Sequence, residues 1–303
     1  MARPRVLSKR IKSVSSIHKI TKTMQWVAQS RSLKIQGKTD RLVEFAAGLE
    51  RLLGNIRESA AAEIGGHPWC AARAVERKTA LLVITSNRGL CGGYNTKILQ
   101  VARERIKRLS AEGKPPFLYV TGKKGIAYFR FIGQAVDKTS VDVTETVDFP
   151  MVEPIIAELV GMFVEGKVDA VDVVSMRYRS RGSQEPMATR ILPFSLGQGA
   201  ADPAAKAAPA AAGTASAGTP LIEPDPARML GGLIPLMMKA RFFSLLLEAF
   251  LSEQMQRTMA MTNATENADS MIKRLTREYN RARQAQITGE MIEIIGGSEG
   301  TKR

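Results

Sequence analysis

The sequence predicts an α/β fold in which long N- and C-terminal helices pair as an antiparallel coiled coil around an inserted α/β domain. Three observations lead there. Residues 236–288 contain neither glycine nor proline and are mostly good helix formers. As one helix they would extend roughly 80 Å, whereas helices in globular proteins average about 11–12 residues. A helix of that length needs a long partner or a larger assembly to cover its apolar side. Residues 5–36 also lack glycine and proline, which supplies a candidate partner. Between them, short apolar runs alternate with helical stretches, as in sheets with parallel strands.

The N-terminal helix is expected over residues 1–60. Leu7, Ile11, Val14, Ile17, Thr21, Met24, Val27 or Ala28, Ile35, Leu42, Phe45, Leu49, Leu52 and Ile56 recur at steps of three and four, the spacing of one helix face. Gly37 and Gly48 weaken this stretch, so one helix or two in series are both open. Residues 64–70, with Gly65, Gly66 and Pro68, read as loop. The α/β domain is expected over residues 75–196. TALLVIT from Thr79 is a buried strand ending in a Ser-Asn-Arg-Gly turn, and a helix follows from about Thr96 to Ser110. FLYVT (117–121) is a second strand, with a helix starting near Gly122. A further helix covers 151–165, and residues 168–178 and 188–194 are strands.

Residues 197–228 are rich in Ala, Pro and Gly and almost free of large apolar side chains. Too little apolar surface is available there to order the chain, so a flexible surface insertion is expected. The closing helix spans 229–296. Leu247, Leu251, Met255, Thr258, Met261 or Thr262, Thr265, Ala268, Ile272, Leu275, Tyr279, Ala282, Ile287, Met291 and Ile294 sustain a near-heptad pattern, the mark of a left-handed coiled coil. Its small and polar middle positions make a weaker seam than a leucine zipper, suited to close helix approach or to a shaft with other partners.

Composition narrows the function. A net charge of +15 favours polyanionic or acidic partners, while 6% aromatic residues weaken a base-stacking reading. Cys70 and Cys91 are the only cysteines. They fit a reducing compartment and exclude a disulfide framework. No apolar signal-peptide core opens the chain, and its most apolar stretch, near 231–251, is broken by Pro235, Lys239, Arg241 and Glu248. A soluble or peripheral protein is expected.

From Arg3 to Lys38 there are ten basic residues, Lys9 and Arg10 among them, and no carboxylate before Asp40. Such a run is either a solvated helix face or a surface held against nucleic acid or an acidic protein collar. No nucleic-acid-binding motif accompanies it. GMFVEGKV (161–168) falls short of a phosphate loop, because Val168 replaces the required hydroxyl and Gly161 lies inside a helix. SNRGLCGGYN (86–95) follows a strand and precedes a helix, where backbone amides can hold an anion. The favoured reading is structural, a tight turn demanding Gly89, Gly92 and Gly93, with Cys91 a packed thiol. Two histidines and two scattered cysteines offer no metal-ligand set, and no residue pair signals catalysis.

Three blocks resemble the gamma subunits of F-type ATP synthases. KRIKSVSSIHKITKTMQWVAQSR is similar to that family's opening helix, TSNRGLCGGYN to its glycine-rich motif, and SEQMQRTMAMTNATENADSMIKRLTREYNRARQAQITGEMIEIIGG to its ending; EPDPARML (223–230) is a further familiar element. The resemblance implies a Rossmann-like inserted domain and a noncatalytic rotor without cofactor or metal. Its coiled coil would turn inside a ring of alpha and beta subunits, driven by proton or sodium flow. Its α/β domain would sit near the epsilon subunit and the c-subunit ring. The chain would meet the membrane only through the complex, on the cytoplasmic face of a bacterial plasma membrane, and would bind no nucleic acid. The basic face with Lys9 and Arg10 would oppose acidic loops of the beta subunits. Met24, Arg257, Gln284, Thr288 and Glu290 match family positions at beta-subunit contacts, and Glu253 matches a position with a coupling role. Trp26 and Gly289 depart from the family pattern, and the insertion lacks the cysteine pair of chloroplast members. Two alternatives stand beside this reading: a basic nucleic-acid-binding coiled-coil protein, and an α/β enzyme using the turn at Gly89–Gly93.

Overall fold

A computed structural model describes residues 4–56, 67–71, 73, 75–142, 148–194 and 226–300. Most of the Ala/Pro-rich segment therefore lies outside the described residues. In chain order the elements are α1 (Pro4–Ile56), β1 (Thr79–Ile84), α2 (Tyr94–Ala111), β2 (Phe117–Thr121), α3 (Lys123–Phe131), β3 (Lys138–Ser140), α4 (Phe149–Val164), β4 (Ala170–Tyr178), β5 (Gln184–Leu192) and α5 (Pro226–Gly300). Two compact units divide the chain, one of residues 30–256 and one of residues 1–29 with 257–303. Helices α1 and α5 contribute to both.

In the larger unit a five-stranded sheet has the order β3-β2-β1-β4-β5. The first four strands are parallel and β5 runs antiparallel on β4. β1 is buried along its whole length, as expected of a parallel strand covered on both faces. Its alternate residues enter different cores. Ala80, Leu82 and Ile84 join Val171, Val173, Ile156, Phe163 and Ile35 with Ile234, Phe242, Leu246 and Phe250 of α5. Leu81 and Val83 join Val174, Met176, Leu118 and Val120 with Ile98, Ala102 and Phe129 of α2 and α3. Three-residue β3, which sequence reading missed, is too short to show an apolar alternation.

By length and composition alone α5 contains a stretch that would pass for a membrane span. Its side chains instead fill the sheet's core, Leu230, Met238, Leu245 and Leu247 among them. Burying each such residue contributes about 1.5–3 kcal/mol. Pro235 stays inside this helix. Proline crowds the residue four positions earlier, and that residue is Gly231.

Buried charge ties the layers together. Asp172 on β4, 2% exposed, accepts hydrogen bonds from Arg105 Nε and Nη2 of α2 at 3.0 and 2.6 Å. It also accepts one from Arg190 Nε of β5 at 2.6 Å. Arg190 reaches on to Glu76 at 2.5 Å. On the opposite face Arg177 pairs with Glu248 of α5 at 2.9 Å. Burial holds the Glu248 carboxyl above its usual range, with Arg177 opposing that shift. A carboxyl whose folded pKa is raised stabilises the fold below its unfolded value and loses that contribution as pH rises. The native chain is therefore expected to lose stability relative to Glu248→Gln as pH rises from 4 to about 7. Urea melts at both ends of that range check it, and a native chain that gains on the variant with rising pH would refute the sign.

Candidate subunit interface

The smaller unit is a two-helix structure. The Thr265 hydroxyl donates to Thr21 Oγ1 at 2.9 Å, and Thr21 in turn donates to the His18 carbonyl at 3.1 Å. His18 also acts electrostatically on Asp269, whose carboxyl lies below the usual range chiefly through its hydrogen bond to Lys273. Contact partners that descend on one helix while rising on the other make the pair antiparallel. Apart from Arg257, the buried side chains among the described residues of this unit are Leu7, Thr21 and Ala28 on α1 and Met261, Ala268 and Leu275 on α5. Their sevenfold steps are those of a left-handed coiled coil.

The seam differs from expectation in detail. Ile17 is 52% exposed and Val27 45% exposed, while Ala28 is 2% exposed. The continuation into the larger unit behaves alike, with Ile35 and Leu49 buried and Phe45 and Leu52 about half exposed. His18, Met24 and Gln25 are half-buried, so polar neighbours share the seam with the expected Met24. Between Leu7, Met261 and Leu275 the seam is filled by small and polar residues, Thr21, Ala28 and Ala268, which let the two backbones approach. Larger apolar residues stand outside it: Ile17, Ile20, Trp26 and Val27 on α1, and Met259, Met271, Ile287, Met291, Ile292 and Ile294 on α5. A helix pair that exposes more large apolar side chains than it buries is built to be covered.

The other expected interface residues fall on both units. Lys9 and Arg10 are exposed and Met24 half-buried. Glu253 and Arg257 are 2% and 5% exposed, so the chain itself already covers them; Glu253 belongs to the larger unit and Arg257 to the smaller. Gln284, Thr288 and Glu290 are exposed. They lie beyond the reach of α1, because the register of Thr21 with Thr265 places the start of α1 near residue 282. Their contacts are within the helix, Thr288 to the Gln284 carbonyl at 2.9 Å and Gln286 to Glu290 at 2.7 Å. Trp26 is 61% exposed, with Lys22 Nζ 5.6 Å from its ring centre.

The glycine-rich turn lies at the carboxyl end of β1. Asn95 organises it: its Oδ1 accepts the Ser86 N–H at 3.0 Å, and its Nδ2 donates to Ser86 Oγ at 2.8 Å and Cys91 Sγ at 3.2 Å. Cys91 is 2% exposed, a packed thiol. The Tyr94 N–H, first in α2, is taken by the Cys91 carbonyl at 3.2 Å, while the Ser86 carbonyl and Asn87 Oδ1 accept the Lys124 and Lys123 N–H groups of the facing turn at 3.1 Å. Of the three glycines singled out by sequence, only Gly92 takes a left-handed conformation (φ 56°). A side chain at Gly89 or Gly93 would meet only the flexible ends of Lys124 and Lys97. Leu90, unmarked by sequence, is left-handed (φ 62°) and 59% exposed. Strain of this kind in a residue with a Cβ costs of order 1 kcal/mol and here holds an apolar side chain outward.

The glycines that packing demands belong to the facing turn. A Cβ on Gly122 (φ 93°) would stand 2.1 Å from the Thr85 carbonyl oxygen, and one on Gly125 2.6 Å from Thr85 Oγ1. Thr85 Oγ1 donates to the Thr121 carbonyl at 2.7 Å and accepts the Gly125 N–H at 2.9 Å. The available signal was a glycine directly after the FLYVT strand. GMFVEGKV is a helix end: Gly166 (φ 76°) closes α4, and the Lys167 N–H returns to the Met162 carbonyl at 2.9 Å. Among the described residues no cluster of His, Cys, Asp and Glu could hold a metal.

A sequence family described as ATP synthase matches residues 4–300. The ATP synthase gamma chain of Leptospira biflexa is 34% identical over 99% of both chains. That of Acidiphilium cryptum is 36% identical over the same shares. The chain belongs to the ATP synthase gamma-chain family. Among solved structures, a chain of the Euglena gracilis mitochondrial ATP synthase assembly of OSCP, F1 and c-ring shares the fold, with TM-score 0.65, 20% identity, and 98% and 94% of the two chains covered. A chain of the Tetrahymena thermophila central stalk and c-ring assembly gives TM-score 0.53 at 20% identity, covering 81% of this chain and 99% of that one. Gamma-chain membership agrees with the fold expected from sequence, long terminal helices around a Rossmann-like sheet. It makes the chain a subunit of a membrane-associated complex and not a carrier of catalytic sites. Neither the nucleic-acid nor the enzyme alternative gains support, since relatives matching at full length are gamma chains.

Proposed function

We propose that this chain is the central rotor of an F-type ATP synthase, turning inside a ring of alpha and beta subunits to couple ion flow to ATP synthesis or hydrolysis. The observation that carries this reading is the two-helix unit. Its seam mixes small and polar residues with only three large apolar ones among the described residues, its outer faces carry large apolar side chains, and its N-terminal helix is basic without a carboxylate before Asp40. Many separate, screened contacts suit a surface that must move past its partners better than one deep ion pair does. In this reading Lys9, Arg10, Met24, Arg257, Gln284, Thr288 and Glu290 meet the beta subunits, and Glu253 couples to them from within the larger unit. The epsilon subunit and c-ring bind the α/β part. The complex works at the cytoplasmic face of a bacterial plasma membrane.

A tagged chain expressed in its own cells is expected to bring down alpha and beta ATPase subunits in one complex. Recovery of none would overturn the proposal. Truncation after Gln284 removes the part of α5 that lies beyond the reach of α1. It is expected to leave the complex assembled while lowering proton pumping severalfold relative to ATP hydrolysis. Loss of assembly from that cut would place the essential contacts at the tip instead.

A further inference from the structure

We propose that the groove between α2 and α3 on the outer face of the sheet docks an acidic amphipathic helix of a protein partner. The groove encloses about 870 Å³. Leu99 and Ile106 form its floor and Ile132, 41% exposed, its edge. Next to it stands Phe131, at 88% the most exposed large apolar side chain among the described residues. Folding the sheet needs neither Phe131 nor Ile132 outside, so their exposure is explained by a second surface.

Charge selects the occupant. α2 carries five cationic side chains and α3 three, against a single carboxylate, Glu104. Arg105 turns inward to Asp172. Arg103 and Lys107 line the groove and Arg130 lies beside it. None of these three forms an ion pair among the described residues; Arg103 only donates to the Tyr128 hydroxyl at 3.3 Å. Packed helices lie about 8–10 Å apart, and the trough between two of them receives a third through apolar anchors spaced three and four residues apart. Acidic residues flanking those anchors would meet the cationic rim. A flat anionic membrane would reach Phe131 but not the floor, where Leu99 and Ile106 are 6% and 8% exposed. The proposal stands on the α/β part alone and does not require rotation.

The test uses the complex purified from its own membranes, with the photoreactive residue p-benzoylphenylalanine placed at Ile132. Irradiation is expected to give one protein adduct. The cross-linked peptide should carry clustered Asp and Glu around apolar residues at helical spacing. R103E/K107E is expected to lower its yield at least tenfold, and Phe131→Ala to lower it severalfold. Both variants should leave the melting temperature and co-purification of the ATPase subunits unchanged, which separates this result from the rotor reading. An adduct with lipid alone, a peptide lacking acidic residues, or a yield indifferent to charge reversal would each overturn the proposal.

Discussion

Gly122→Val is expected to unfold the α/β part under conditions where the native chain is folded. Two independent penalties meet at this position. A φ of 93° excludes a branched side chain. The new Cβ would also lie 2.1 Å from the Thr85 carbonyl oxygen, a backbone atom fixed at the end of a buried parallel strand and unable to swing away. Relieving the overlap means separating the turn before α3 from β1, which breaks the Thr85 hydrogen bonds to Thr121 and Gly125. The combined loss should exceed about 4 kcal/mol, the range reserved for backbone strain joined to core disruption. Equilibrium urea unfolding followed by circular dichroism checks this. A loss below about 1 kcal/mol would show that the turn is softer than its geometry indicates. Gly89→Ala is the control, since its Cβ would meet only the mobile end of Lys124 at 3.6 Å. It should change stability by less than about 0.5 kcal/mol.

Asp172→Ala is expected to lower stability by about 3–5 kcal/mol, the usual result of removing one partner from a buried ion pair. The carboxylate sits between Arg105 and Arg190 with its side chain 3% exposed. Its loss leaves two guanidinium groups facing one another on one face of the sheet, with only Glu76 left to answer Arg190. The double variant Asp172→Ala, Arg105→Ala should recover part of the loss, because one uncompensated cation goes with it. If the double variant is no more stable than the single one, like-charge repulsion is not the cause. Ligand-free thermal melts of the three chains separate these outcomes.

Both residues also show how legibility divides. Strands β1 and β2, helix α2 and the two long terminal helices were readable because periodicity and unbroken helical composition are local properties. Asp172 was not readable as a buried charge. It lies in VDAVDVVSMRY, where strand alternation predicts a side chain but cannot supply Arg105, 67 residues away. Gly122 was passed over for Gly89, Gly92 and Gly93 because the count of glycines in a turn is visible, whereas the atom a Cβ would strike is not.

The candidate interface divides in the same way. Exposure of Lys9 and Arg10 was legible in the unbroken basic run, whereas Gln284, Thr288 and Glu290 entered only through the family resemblance. Burial of Glu253 and Arg257 was not legible, since residues 251–257 are buried all around the helix and no single face of α5 is marked for it in sequence. Sequence by itself determined that two long helices flank a parallel sheet, because helix length and strand alternation are written residue by residue. Only the tertiary structure decided which of two adjacent apolar stripes on α1 becomes the seam. Ala28 and Thr21 are small enough to let α5 approach, while Ile17, Ile20 and Val27 are not, and close packing excludes the bulkier stripe to the surface.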